Sequence, residues 1–324
     1  MKKIVILLFT WCVSIVSLMA QSCPDTLRAT ATVTITKHAP LPANMLPGKF
    51  TINSNGDQVS FSSGNLQYLA KQNEWRFAEN QWTYIGNAVG NTLAGDANRE
   101  TNVDWIDLFG WATSGNPDAT SDGGNYEPWR SETTSAKYGA SVTGSGEVWN
   151  PEKCDWGVVN MPGSGWRVLS QAEWNYLLNS RPGASQLKGF VQLRDANNSL
   201  IAYGLLLLPD GWQQINSPMA GQFKATSIKG YPIINPKSWE ALEKEGAVFL
   251  TVGGSRSSST ISGYQPQSTP SYMYGYYWTS TSVSSTNAYV LYFNTGTGSY
   301  DYPTIYINSH MRYYGCSVRL VHDR

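Results

Sequence analysis

From Phe50 to the C-terminus, apolar residues alternate with polar ones in short runs, and Gly, Asn and Ser divide the runs. A period of two puts every second side chain on one face of a strand, so such a chain must build sheets and bury one face of each. Residues 50–52, 59–61, 65–68 and 75–77 are expected to form a meander, with Asn55-Gly56 turning the first pair. Strands are expected again at 247–252, 276–280, 288–293 and 317–321. Two helices interrupt the pattern. Ser170 can cap the amide of Glu173 while the Glu173 carboxylate reaches back, ahead of Trp174, Leu177 and Leu178 on one face. The second starts with Asn235 as cap and Pro236 in its first turn, presents Trp239 and Leu242, and stops at Gly246. The fold class this implies is α+β, strand-rich with two short helices and long irregular loops.

The 324 residues open with Lys2 and Lys3, an apolar run over 4–19, and Ala20. That order is expected of a signal peptide over 1–20, cleaved to leave Gln21. The run is too short to read as a membrane span, so the mature chain is expected to have no transmembrane segment. Cys23 follows, but Ala20, Gln21 and Ser22 lack the Leu-small-small approach of a lipidation site. Residues 21–47 read as a leader and linker, with an alternating stretch at 29–36 and then Pro40, Pro42 and Pro47. No comparable break follows, so 48–324 is expected to be one domain, secreted or held at the cell surface.

Charged residues make up 14% of the chain, 23 basic against 23 acidic, and no Lys/Arg cluster occurs beyond Lys3. Nucleic acid is therefore not an expected partner. With 13 Trp and 19 Tyr the chain has ample surface to bury, which argues against disorder. His38, His310 and His322 are too dispersed in sequence to suggest a zinc site or a His-based triad. After export three cysteines remain; a Cys154–Cys316 bridge would stabilise by up to about 4–5 kcal/mol in the chain-entropy picture, and two unpaired thiols are the alternative. Asp96, Asn98, Glu100, Asn102, Asp104 and Asp107 fall at offsets 1, 3, 5, 7, 9 and 12 of a calcium loop, yet Thr101 replaces the glycine of offset 6. A solvated acidic loop is the favoured reading, so no cofactor is expected beyond this weak calcium candidate. Among Asp104, Asp107, Glu127 and Asp155 no spacing selects a hydrolytic pair.

The run Gly165-Trp166-Arg167-Val168-Leu169-Ser170-Gln171-Ala172-Glu173-Trp174 resembles a segment of formylglycine-generating-enzyme-like and Fibrobacter-type major paralogous domains, which share the C-type lectin-like fold. Gly204 to Trp212, Gly246 to Leu250, Tyr277-Trp278-Thr279-Ser280-Thr281 and Ser317-Val318-Arg319-Leu320-Val321 follow in the family's order. The upstream segments from Trp75 to Trp82 and Trp105 to Trp111 are similar to exported gut-bacterial proteins carrying this domain. The resemblance implies a C-type lectin-like domain from about residue 50 to the end. Its oxidases hold copper with two cysteines near the C-terminus, where this chain has Cys316 alone. Its calcium-dependent lectins use Glu-Pro-Asn or Gln-Pro-Asp with Trp-Asn-Asp, and here Glu127-Pro128-Trp129, Gln265-Pro266-Gln267 and Trp149-Asn150-Pro151 depart from both.

Twelve of the 19 tyrosines fall in residues 264–324, a stretch without lysine and rich in Ser, Thr, Asn and Gly. Tyr supplies wide amphipathic contact at low side-chain entropy, as in antibody combining loops. Tyr277, Trp278, Tyr289, Val290, Tyr292, Phe293 and Val318 match strand motifs and are expected to be partly scaffold. Tyr300, Tyr302, Tyr306, Asn308, His310, Arg312, Tyr313 and Tyr314 interrupt or follow turns and are the expected ligand contacts. The distribution resembles the variable segment of retroelement-diversified binding proteins, which also use the C-type lectin-like fold. The favoured function is thus a non-enzymatic, adhesin-like module for a cell-surface protein or glycan. Two alternatives stay open: a glycan-active or formylglycine-generating-like enzyme, and a structural envelope or fimbrial tip component with a donor strand near Thr32 to Thr36.

Overall fold

A computed structural model describes residues 43–69, 72, 74–86, 91, 104–112, 155–161, 163–212, 232–257, 260–264, 273–295 and 303–324. The chain divides into two units, Met1–Pro40 and Leu41–Arg324, and all described residues belong to the second. The expected leader, Cys23 and the alternating stretch at 29–36 lie outside the described residues.

Among the described residues four sheets build the unit, which is strand-rich α+β. The first has the order β1-β2-β16-β6, from Phe50–Thr51, Gln58–Phe61, Leu320–Asp323 and Trp166–Val168. The expected turn joins β1 to β2: Gly56 takes a left-handed φ of 88°, and Asn53 Oδ1 accepts from the amides of Asn55 and Asp57. The expected continuous meander does not form. β2 pairs instead with β16, Phe61 opposite Val321, while β3 (Leu66–Leu69) and β4 (Glu74–Phe77) pair in a separate small sheet with β5 (Trp105–Ile106). A partner contributed by the last residues of the chain is invisible to a local pattern. The third sheet runs β10-β8-β7-β9, from Val248–Thr251, Leu200–Leu207, Lys188–Arg194 and Ile233–Ile234. The fourth runs β12-β11-β13-β14-β15, from Thr260–Tyr264, Gly253–Ser257, Tyr274–Ser282, Asn287–Asn294 and Thr304–Met311.

Both expected helices are present, and a third precedes them. α1 (Trp156–Asn160) is capped by Asp155, whose Oδ1 accepts from Gly157 and Val158 while its Oδ2 accepts from Val168 of β6. α2 (Gln171–Asn175) begins with the complete Ser170/Glu173 capping box and continues as a π-helical turn over Tyr176–Ser180, burying Trp174, Leu177 and Leu178. α3 (Pro236–Lys244) starts at Asn235 and buries Trp239 and Leu242. It stops at Gly246 for two reasons: φ there is +89°, and a Cβ would sit 2.0 Å from the backbone nitrogen of Gly48. No described helix is long and apolar enough to cross a membrane.

Three clusters form the interior. One gathers Phe50, Phe61, Trp174, Leu205, Leu250, Tyr277, Leu291 and Phe293 between the first, third and fourth sheets. A second is tryptophan-rich, with Trp111, Trp156, Trp166 and Trp278. Two of its indole N–H groups find backbone acceptors: Trp111 donates to Thr279 O at 2.8 Å and Trp278 to Phe109 O at 2.6 Å. The third packs Trp239 and Phe249 beneath α3.

Candidate functional site: an aromatic face on the five-stranded sheet

Directly opposed residues of antiparallel strands share a face. The register places Tyr276 opposite Tyr292, Tyr292 opposite Tyr306, and Trp278 opposite Val290, itself opposite Asn308. Tyr276, Tyr292, Tyr306, Asn308 and His310 therefore share one face of the sheet. Their rings touch in series: Tyr274–Tyr292 at 5.8 Å, Tyr276–Tyr292 at 4.9 Å, Tyr292–Tyr306 at 4.8 Å, Tyr276–His310 at 4.9 Å, His310–Tyr314 at 4.1 Å and Tyr313–Tyr314 at 4.9 Å. Near Trp278 the face rests on the tryptophan-rich cluster, against which Tyr276 and Tyr314 pack. Tyr306, 45% exposed, is the ring most open to water, and Tyr274, Tyr276, Tyr313 and Tyr314 are half-buried. The opposite face is interior: Tyr277 is 1% exposed, stacks on Phe293, and donates its hydroxyl to Thr251 O.

The expected contact residues divide accordingly. Tyr306, Asn308 and His310 stand on a regular eight-residue strand, not around turns. Local sequence carries that signal, because Ile305 and Ile307 alternate with Tyr306 and Asn308 and pack against the first cluster. Arg312 requires a correction. It is 1% exposed, and its guanidinium donates to Ser282 Oγ at 2.6 Å, to Ser284 O and to Asn287 O while stacking 4.4 Å from the Trp111 ring centre. These bonds clamp the β13–β14 turn, so Arg312 is a strut beneath the face and not a contact on it. Tyr300 and Tyr302 lie outside the described residues. Tyr274, Tyr276 and Tyr292 join the face through the register of β13, β14 and β15, which the alternation of the sequence alone does not supply.

Around His310 this face is screened from water. Burial drives His310 down to about 4, and its Nε2 is enclosed without a hydrogen-bond partner among the described residues. The imidazole is accordingly neutral at pH 7, lying 13° from parallel to the Tyr276 ring. Burial first, then the neighbouring Tyr292 and Cys316, push the Tyr276 phenol well above its usual value.

Elsewhere, residues singled out for chemistry serve the fold. Asp107 is 1% exposed and accepts from the Ile85 amide at 2.7 Å and Asn91 Nδ2 at 2.8 Å. It turns inward from the expected acidic loop; Asp104 is exposed, and Asp96, Asn98, Glu100 and Asn102 lie outside the described residues. Burial lifts both Asp107 and the cap Asp155 to about 6 against the lowering effect of their hydrogen bonds. Among the described residues, no group of three His, Cys, Asp or Glu is clustered to hold a metal. Cys316 is buried and burial pushes its thiol well up, while Cys154, its candidate bridge partner, and the carboxylate Glu127 lie outside the described residues. A groove of about 340 Å³ contains Asp57, Glu173 and Asp323, but Arg167 bridges the last two at 2.8 Å each, and Glu173 also closes the capping box. Arg319 of the closing motif is interior, donating to Gln81 Oε1 at 2.7 Å, and burial lowers it to about 10.

Comparison with known proteins finds no matching family model, no matching curated protein and no matching solved structure.

Proposed function

We propose that this chain is an exported, adhesin-like binding module with a C-type lectin-like domain, which recognises a cell-surface protein or glycan through the aromatic face of its five-stranded sheet. The observation that carries the reading is the unbroken series of rings from Tyr274 to Tyr313, with Tyr306 emerging into water. Contacting rings on paired strands are preorganised, so a ligand that lies on them orders few side chains. Asn308, exposed beside Tyr306 on the same strand, supplies an amide for directional hydrogen bonds. A flat aromatic surface with polar rims suits sugar C–H faces and protein side chains alike, and the departures from the calcium-lectin motifs favour protein. Oxidase chemistry is disfavoured, since the buried, up-shifted thiol of Cys316 is the opposite of a reactive or metal-binding thiolate.

Glycan and surface-protein arrays, probed with the chain from Gln21 onward with and without calcium, provide the test. Tyr306→Ala with Tyr313→Ala is expected to cut capture at least ~30-fold, as loss of two aromatic contacts of about 1 kcal/mol or more each implies. The melting temperature should move by less than about 3 °C, because neither ring is buried. Undiminished capture by the double variant would remove the reading.

A further inference from the structure

We propose that the outer edge of β15 accepts a strand from a second copy of this chain, the donor being the alternating segment 29–36.

The direction of the β15 backbone can be derived. Arg312 N–H donates to Thr286 O, and from there the β14–β15 register runs without a shift to Asn294 opposite Thr304. In an antiparallel ladder alternate residues point both backbone groups at the same neighbour. The even-numbered residues of β15 therefore bond to β14, and Ile305, Ile307, Ser309 and Met311 point their N–H and C=O groups away. Tyr276 O, which accepts from Ser317 on the far side of β13, has the parity this requires. Among the described residues, the outward groups have only two partners: Ser309 N–H reaches Asn308 Oδ1 at 2.8 Å, and Met311 O accepts from Tyr314 at 3.0 Å. The outward groups of Ile305 and Ile307 bond to no described residue.

Natural sheet edges are usually blunted by Lys, Pro or a bulge. Thr304–Met311 has no charged residue, no proline and no register shift. Of the three exposed large apolar residues among the described ones, Tyr306 and Met311 are on this strand. The edge thus has the composition of a strand that is meant to be paired.

The donor fits in length and chemistry. Ala29-Thr30-Ala31-Thr32-Val33-Thr34-Ile35-Thr36 is uncharged, alternating and largely β-branched, and it has eight residues, as β15 has. Pro40 and Pro42 lie four and six residues beyond it, and a proline-rich spacer has a composition suited to reaching a neighbouring copy. Donor and acceptor lie on different parts of the chain, so each copy offers both, and the association either closes by reciprocal exchange or propagates head-to-tail. It uses backbone groups at the sheet edge and does not depend on capture of a ligand by the aromatic face.

Sedimentation and light scattering on the chain from Gln21 onward, over a range of concentrations, test this. Ser309→Pro removes one outward N–H and leaves the backbone bonds to β14 intact, at the cost of the Asn287 Nδ2–Ser309 Oγ bond; Thr32→Pro with Val33→Pro disables the donor whichever way it is registered. The wild-type chain is expected to self-associate, and each variant alone to need at least ~10-fold higher concentration to do so. An equimolar mixture of the two variants should form a dimer, since one keeps a sound donor and the other a sound acceptor. A monomeric wild type, association unchanged in either variant, or a mixture that stays monomeric would each overturn the proposal, and none of these bears on ligand capture.

Discussion

Arg312→Ala is expected to lower the free energy of unfolding by about 3–4 kcal/mol. Its guanidinium donates to Ser282 Oγ, Ser284 O and Asn287 O, all in or beside the β13–β14 turn. Truncation removes all three bonds, although Ser284 O keeps the Ser282 hydroxyl and Asn287 O keeps the amides of Val283 and Ser284, and it takes away the stack on Trp111 and opens a void larger than a methyl group. Arg312→Lys retains a charge without the fork and should recover less than half of the loss. Chemical denaturation followed by Trp fluorescence reads both. If Arg312 instead touched ligand, Arg312→Ala would weaken capture and leave the unfolding midpoint where it was.

The second large effect is in acid. His310 has a folded-state value of about 4 against an ordinary 6.5 because its surroundings exclude water. A depressed value means that the unfolded chain binds the proton more readily. The contribution is therefore complete above about pH 6.5 and is lost as pH falls toward 4, by about 3 kcal/mol at pH 4. Asp107 and Asp155 act with the opposite sign. Their values are raised from 3.8 to about 6, so what they contribute is complete below about pH 4 and is lost as pH rises through 6. The windows overlap, and the raw profile of the wild type will hide the histidine. His310→Phe isolates it: the wild type's stability relative to the variant is expected to fall by about 3 kcal/mol between pH 7 and pH 4. A difference that stays flat across that range would mean that the imidazole is solvated and the face wetter than described.

Sequence made some of this fold legible because the signals were local. The Ser170/Glu173 capping box spans three residues, and Asn235-Pro236 with Gly246 brackets α3 within one short segment. The Asn55-Gly56 turn is equally self-contained. What could not be read depended on distant partners. β2 pairs with β16, which no local pattern announces, whereas Tyr277 and Tyr292, expected from their strand motifs to be partly scaffold, are 1% and 8% exposed. Neighbouring tyrosines such as Tyr276 and Tyr277 have the same local chemistry and point to opposite faces, so composition alone cannot separate contact from core. Arg312 misled for a related reason: a cation in a Tyr-rich segment looks like a ligand contact until its acceptors, 25 to 30 residues earlier in sequence, are known.

Recognition through this face depends on which late tyrosines meet water and whether that set meets ligand. Nitration of the chain by tetranitromethane, mapped by peptide mass spectrometry with and without a captured ligand, addresses both at once. Tyr306 and Tyr313 are expected to be modified in the free protein and protected in the complex, with Tyr277 unmodified in either. Nitration of Tyr306 and Tyr313 to the same extent with ligand bound, or resistance of both in the free protein, would contradict recognition through this face.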